Sequence, residues 1–200
     1  MELSAEQLNK FQTYHQTLLT WNKKINLISR KDTARIVSYH FIDAISVVPE
    51  IPKNATVLDL GTGAGLPGIP VKIIREDITL FLVESIKKKG IFLSEIIKLL
   101  DLKNTFLIIA RAETITDKLF DVILIRLLGK ISEVLPIAAN LLSPDGKIIF
   151  FKTEYVEQEL IKAQSIINKY HLHLSAIKNV PLPGAKILRK FVIFTRRDEK

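Results

Sequence analysis

Cysteine is absent from the 200-residue chain, which excludes disulfides, thiolate metal sites and a cysteine nucleophile. No apolar run reaches the ~20 residues that a membrane-spanning helix needs. The opening Met1-Glu2-Leu3-Ser4-Ala5-Glu6 lacks the basic and apolar regions of a secretory signal. A cytoplasmic protein with no membrane partner is therefore expected. There is no internal repeat and no low-complexity linker. Nothing demands an oligomer, and a monomer is expected. The histidines His15, His40, His171 and His173 show no metal-ligand spacing, and no nucleophile triad is visible, so no metal is expected.

What is present begins with charge. The formal net charge is +8 and the pI is ≈ 9.6, a balance that favours an anionic partner, nucleic acid first. Hydrophobic residues make up 48% of the chain, which predicts a filled core rather than disorder. This length suits a single domain over 1–200, with a helical extension over 1–52 and an α/β core over 55–200. Ser4 followed by Gln7 has the form of a capping box and opens a helix through about Thr20. A second helix is predicted from Asp32, as its cap, through Val48, with Pro49 and Pro52 closing the segment.

From residue 55 short apolar runs alternate with amphipathic stretches. Thr56–Leu60, Thr79–Glu84, Thr105–Ala110, Asp121–Arg126 and Lys147–Lys152 read as strands. Gly68–Arg75, Ile86–Leu100, Ile131–Leu142 and Val156–Tyr170 read as helices between and after them. This alternation predicts a mostly parallel sheet covered on both faces. Two last strands, about His173–Asn179 and Leu188–Phe194, are joined by Pro181-Leu182-Pro183-Gly184 without a helix and should pair antiparallel.

The most informative stretch is Asp59-Leu60-Gly61-Thr62-Gly63-Ala64-Gly65-Leu66-Pro67-Gly68-Ile69-Pro70, a glycine loop leaving the first core strand. Such a loop marks a nucleotide-type ligand. A dinucleotide fingerprint needs G-x-G-x-x-G, but Leu66 stands where the third glycine belongs. Pro67 and Pro70 also lack the N–H groups that would hold a pyrophosphate. S-adenosylmethionine (SAM), which has no phosphate, fits better. Glu84 ends the second strand, where a carboxylate can accept both ribose hydroxyls in a SAM or an NAD enzyme. Ala112 and Glu113 follow the third strand, on the adenine side, and Arg126 ends the fourth, facing the transferable group. All converge on the carboxyl edge of the sheet, where ligands bind.

With these residues in place, the chain resembles the rRNA small subunit methyltransferase G family, also called glucose-inhibited division protein B. The resemblance rests on Trp21-Asn22 with Asn26-Leu27, on His40-Phe41-Ile42-Asp43, and on the whole Asp59–Pro70 string. It continues through Leu82-Val83-Glu84-Ser85, Lys87-Lys88 and Arg111-Ala112-Glu113. It implies a class I SAM-dependent methyltransferase (Rossmann-like) α/β fold, mostly parallel with an antiparallel C-terminal strand, plus an N-terminal helical extension. It also implies methylation of guanine N7 in the 530 loop of 16S rRNA, on free rRNA or the small ribosomal subunit. The family's SAM contacts would fall at Gly61, Leu66, Ala112, Glu113 and Arg126. Glu84 joins them on the ribose argument and Gly63 as part of the same loop. The chain departs from the family in having Ile125-Arg126-Leu127 for the common Ser-Arg-Ala, and Lys152-Thr153 for Lys-Gly.

Guanine N7 carries a free lone pair, so alignment rather than proton removal is the task, and no catalytic base is assigned. Arg126 is expected to act by positioning, holding the SAM carboxylate or an RNA phosphate. Candidate RNA cations are Lys23, Lys24, Arg30, Lys31, Lys87, Lys88, Lys89, Arg189, Lys190, Arg196 and Arg197, with Trp21 or Tyr39 as stacking surfaces. Two other readings compete. A non-catalytic RNA-binding module on the same scaffold predicts no SAM binding. A nicotinamide dehydrogenase would need the missing glycine.

Overall fold

The computed structural model describes residues 2–153, 156–182 and 188–196. Its strands are β1 (Thr56–Leu60), β2 (Thr79–Glu84), β3 (Thr105–Ile109), β4 (Phe120–Arg126), β5 (Leu142–Lys152), β6 (Leu172–Val180) and β7 (Arg189–Arg196). They form one seven-stranded sheet in the order β3-β2-β1-β4-β5-β7-β6. The pairs among β1 to β5 are parallel, and β7 runs antiparallel to both β5 and β6.

Strands β1 and β4 occupy the middle and are buried on both faces, which is why they read as nearly unbroken apolar runs. One face carries Leu58, Leu60, Ile123, Ile125 and Phe150 against α5 (Ile131–Asn140) and α6 (Val156–Lys169). The other carries Val57, Leu82, Leu124 and Ile149 against α1 (Ala5–Asn22), α3 (Gly68–Ile74) and α4 (Lys87–Leu99). Successive strands run outward from β1 to β3, and the chain then returns to place β4 on the other side of β1. That reversal opens a crevice at the carboxyl ends of β1 and β4, the place where such sheets bind ligands. Register keeps the ends level, with Leu60 opposite both Val83 and Ile125.

The first helix starts as expected: Ser4 and Gln7 exchange both capping-box hydrogen bonds. The second predicted helix does not form as one piece. Residues Arg30–Arg35 make a 3-10 turn capped by Ser29 rather than Asp32, Ile36–Phe41 a π-turn, and only Ile42–Ile45 (α2) is α-helical. A 3-10 turn over Val48–Glu50 follows. Ile36 and Phe41, five residues apart, are both buried, and five is the step of a π-turn. Strand β5 begins five residues earlier than predicted, because α5 stops at Asn140 and frees Leu142 to pair with Phe120. Pro183 and Gly184 of the last connection lie outside the described residues.

Candidate active site

Of three alternating glycines, Gly61 and Gly63 line the site and Gly65 packs behind them against Ile69 and Tyr14. Gly61, Gly63 and Gly65 have φ of 71°, 59° and 87°, which L side chains adopt only under strain. At Gly63 a Cβ would meet nothing within 4 Å, so this residue borders open space. At Gly68 a Cβ would stand 2.6 Å from Leu82 Cδ2 and 2.7 Å from Asp59 Oδ2, so the first turn of α3 is tight against the sheet.

Backbone amides fix the loop to two carboxylates. Asp59 Oδ2 accepts from Gly68 N–H at 2.7 Å and from Thr62 Oγ1 at 2.5 Å. Burial raises the Asp59 pKa to about 6, against the opposing pull of those hydrogen bonds. Glu84 accepts from Gly63 N–H at 3.0 Å through Oε2 and from Ile86 N–H at 2.8 Å through Oε1. From α1, Tyr14 donates its hydroxyl to Ala64 O at 2.5 Å and stacks on Phe41, pressing the loop from behind.

Above the loop lies a cleft of ≈ 580 Å³. Gly61, Gly63, Glu84, Ala112 and Glu113 all line it, the last two from a 3-10 turn after β3. A smaller pocket of ≈ 280 Å³ adjoins it, bordered by Leu66, His40, Asp32 and Arg126. Gly61, Gly63, Lys89 and Leu127 line both spaces. The candidate residues thus come together, but in two compartments, with Arg126 and Leu66 in the smaller one.

Arg126 is not a free cation at a strand end. Its Nη2 lies 2.6 Å from His40 Nδ1, and its Nε lies 3.1 Å from Asp43 Oδ2. Asp43 in turn accepts both arms of Arg189, at 2.6 Å and 2.8 Å. All four side chains are buried. Burial, reinforced by Arg126, pushes the His40 pKa down to about 4, so the ring is neutral.

Several expected RNA cations are redirected by this network and by other pairs. Arg189 is buried on Asp43 and cannot meet a phosphate. Lys190 pairs with Glu157, and Arg196 donates to the Ala139 and Leu142 carbonyls. Lys23, Lys24, Arg30, Lys31, Lys87 and Lys88 are exposed, and Lys89 borders the clefts. Arg197 lies outside the described residues. Trp21 is a seam rather than a free stacking surface: its ring meets Phe92 edge-on, and its Nε1 donates to Glu95 at 3.2 Å. Tyr39 is half-buried beneath Arg35. Leu127 is 84% exposed with φ 57°, so it overhangs the rim instead of filling either space. Leu128 packs its side chain over Gly61, where a Cβ would collide with it.

Asp59 was not marked as a site residue by sequence spacing, whereas the i, i+3 spacing of His40 and Asp43 allows them either to face the site or to be a buried structural pair, and both are buried around Arg126. Asp59 had a signal, an acid two residues before the first glycine of the loop. The pairing of Asp43 with Arg189 had none, because the two lie 146 residues apart.

The family model described as rRNA small subunit methyltransferase G matches residues 7–186. The chain belongs to this family. The relative of that name from Syntrophus aciditrophicus is 33% identical over 201 residues, covering 97% of this chain and 83% of its own. That from Desulforamulus reducens is 34% identical over 202 residues, covering 98% and 84%. Among solved structures, M. jannaschii TYW2 in complex with AdoMet superposes with a TM-score of 0.63 at 18% identity, covering 83% of this chain and 81% of that one. At that identity the likeness shows the fold, a class I methyltransferase sheet. Family membership makes the chain a methyltransferase. Among the described residues no helix is long and apolar enough to cross a membrane, and no group of acidic, histidine or cysteine side chains forms a metal site.

Proposed function

We infer that the protein transfers a methyl group from SAM to guanine N7 in the 530 loop of 16S rRNA. The observation that carries this reading is the pairing of the two spaces: a cleft bordered by Glu84 and the glycine loop adjoins a second pocket, with Gly61 and Gly63 lining both. When bound, SAM supplies an electrophilic methyl on a sulfonium. The residues present suit it. Gly63 leaves room at its surface, and each Glu84 oxygen spends one lone pair on an amide and keeps another for a ribose hydroxyl. Ala112 and Glu113 border the adenine side. Gly61 and Leu66 mark the passage toward the acceptor.

Arg126 is a positioning residue, locked by His40 and Asp43 beside that passage. No group needs to take a proton from N7, so the enzyme works by holding the acceptor in line. Exposed Lys23, Lys24, Arg30, Lys31, Lys87 and Lys88 draw in the RNA backbone, with a salt dependence that follows from phosphate contact. Residues 1–52 act as a helical extension of one domain whose core is 55–200, and the enzyme works as a cytoplasmic monomer on free 16S rRNA or the small subunit.

Mass spectrometry of 16S rRNA fragments from cells with and without the gene tests the substrate. A 530-loop guanosine methylated in both strains overturns the assignment. Calorimetry with SAM and with NAD tests the cofactor, and binding of NAD alone would restore the dehydrogenase reading. Binding of neither would favour the non-catalytic module.

A further inference from the structure

This inference rests on the guanine reading above and concerns how the smaller pocket selects that base. The pocket has an apolar side made by Leu27, Ile28 and Leu66, and a single carboxylate, Asp32. Asp32 Oδ1 pairs with Arg35 at 2.5 Å, while its Oδ2 stands 3.9 Å from His40 Nε2, too far for a hydrogen bond.

His40 has no freedom of tautomer. Arg126 can only donate, so His40 Nδ1 must accept, and the ring proton sits on Nε2. That Nε2–H is buried and has no partner, on a residue only 5% exposed. A buried donor without an acceptor destabilises the site, and the Asp32 carboxylate at 3.9 Å stands just beyond hydrogen-bond reach.

We propose that Asp32 is the guanine-selecting residue: as the base enters, its carboxylate turns from Arg35 onto His40 Nε2–H and accepts the base's N1–H and N2–H. Guanine alone among the four RNA bases offers two adjacent donors on its Watson–Crick edge. A carboxylate has only acceptors, so it matches that edge and repels the bare N1 of adenine. A base held by this edge points N7 the opposite way, out of the pocket toward the shared rim at Gly61 and Gly63. Arg126, His40 and Asp32 then form one hydrogen-bonded line, each group fixing the next.

The test uses the full-length protein and RNA carrying either guanosine or inosine at the target, since inosine lacks only the 2-amino group. Methyl transfer and SAM affinity are measured separately. Wild type should favour guanosine over inosine by about tenfold, and Asp32→Ala should lower kcat/KM on guanosine by on the order of 10- to 100-fold while losing that preference. Asp32→Asn, which keeps the volume, should also lose the preference. SAM affinity should hold in both variants, and Arg35→Ala should retain the preference. Persistence of the guanosine preference in Asp32→Ala and Asp32→Asn overturns the proposal. Failure of wild type to methylate guanosine N7 at all would instead sink the guanine reading and this proposal with it.

Discussion

The two walls of the site are held by different physics. The proposed cofactor wall is local: Asp59, Thr62, Gly63, Gly68 and Glu84 lie within 26 residues, and backbone amides supply most of their hydrogen bonds. The proposed acceptor wall is assembled from distance, by Arg126 on His40 across 86 residues and Arg189 on Asp43 across 146. A wall of backbone hydrogen bonds survives the loss of one side chain with modest damage. A wall of buried charges does not, because each deletion strands the partners.

Replacement of Asp43 by alanine should therefore have the largest effect. It leaves Arg126 and Arg189 buried without a counter-charge, and urea unfolding should report a loss of about 3–5 kcal/mol. Equal loss from Asp59→Ala would erase the distinction between the walls. On the cofactor side, Gly68→Ala forces a Cβ against Leu82 and Asp59, and should cost about 1–3 kcal/mol with weakened SAM binding. Glu84→Gln should raise the SAM Kd by about tenfold, roughly 1.4 kcal/mol, with RNA affinity unchanged in a filter-binding assay.

The finest comparison lies in pH. His40 is held below its usual value, at about 4, so its contribution to stability is complete above ~6.5 and is lost as pH falls toward 4. Asp59 is held above its usual value, at about 6, so its contribution is complete below ~3.9 and is lost as pH rises toward 6. Denaturation of wild type against His40→Gln and against Asp59→Asn between pH 7 and 4 should give differences of opposite slope. Parallel slopes would show that the two walls do not titrate independently.

The same contrast governs what the sequence made legible. The bounds of Thr56–Leu60 and Thr79–Glu84 were readable to the residue, because strands buried on both faces are apolar throughout and end at turn residues. The glycine loop was readable because sharp turns and close approach restrict residue choice locally. The Asp32–Val48 helix was misread because helical periodicity assumes a step of 3.6, whereas Ile36 and Phe41 bury themselves on a π-turn. Arg189 was misread as an RNA contact, since only the folded chain brings Asp43 to it. Local geometry leaves a mark in neighbouring residues; a long-range ion pair leaves none.

The Asp43–Arg189 pair also sets an order of assembly. Closing a contact across 146 residues is entropically late, after the nearby strand pairs have formed. During synthesis the glycine loop and its strands leave the ribosome well before Arg189 does. A nascent chain thus completes the glycine-loop cleft first and locks the smaller pocket only when β7 docks, so the proposed grip on RNA cannot set until that strand is in place.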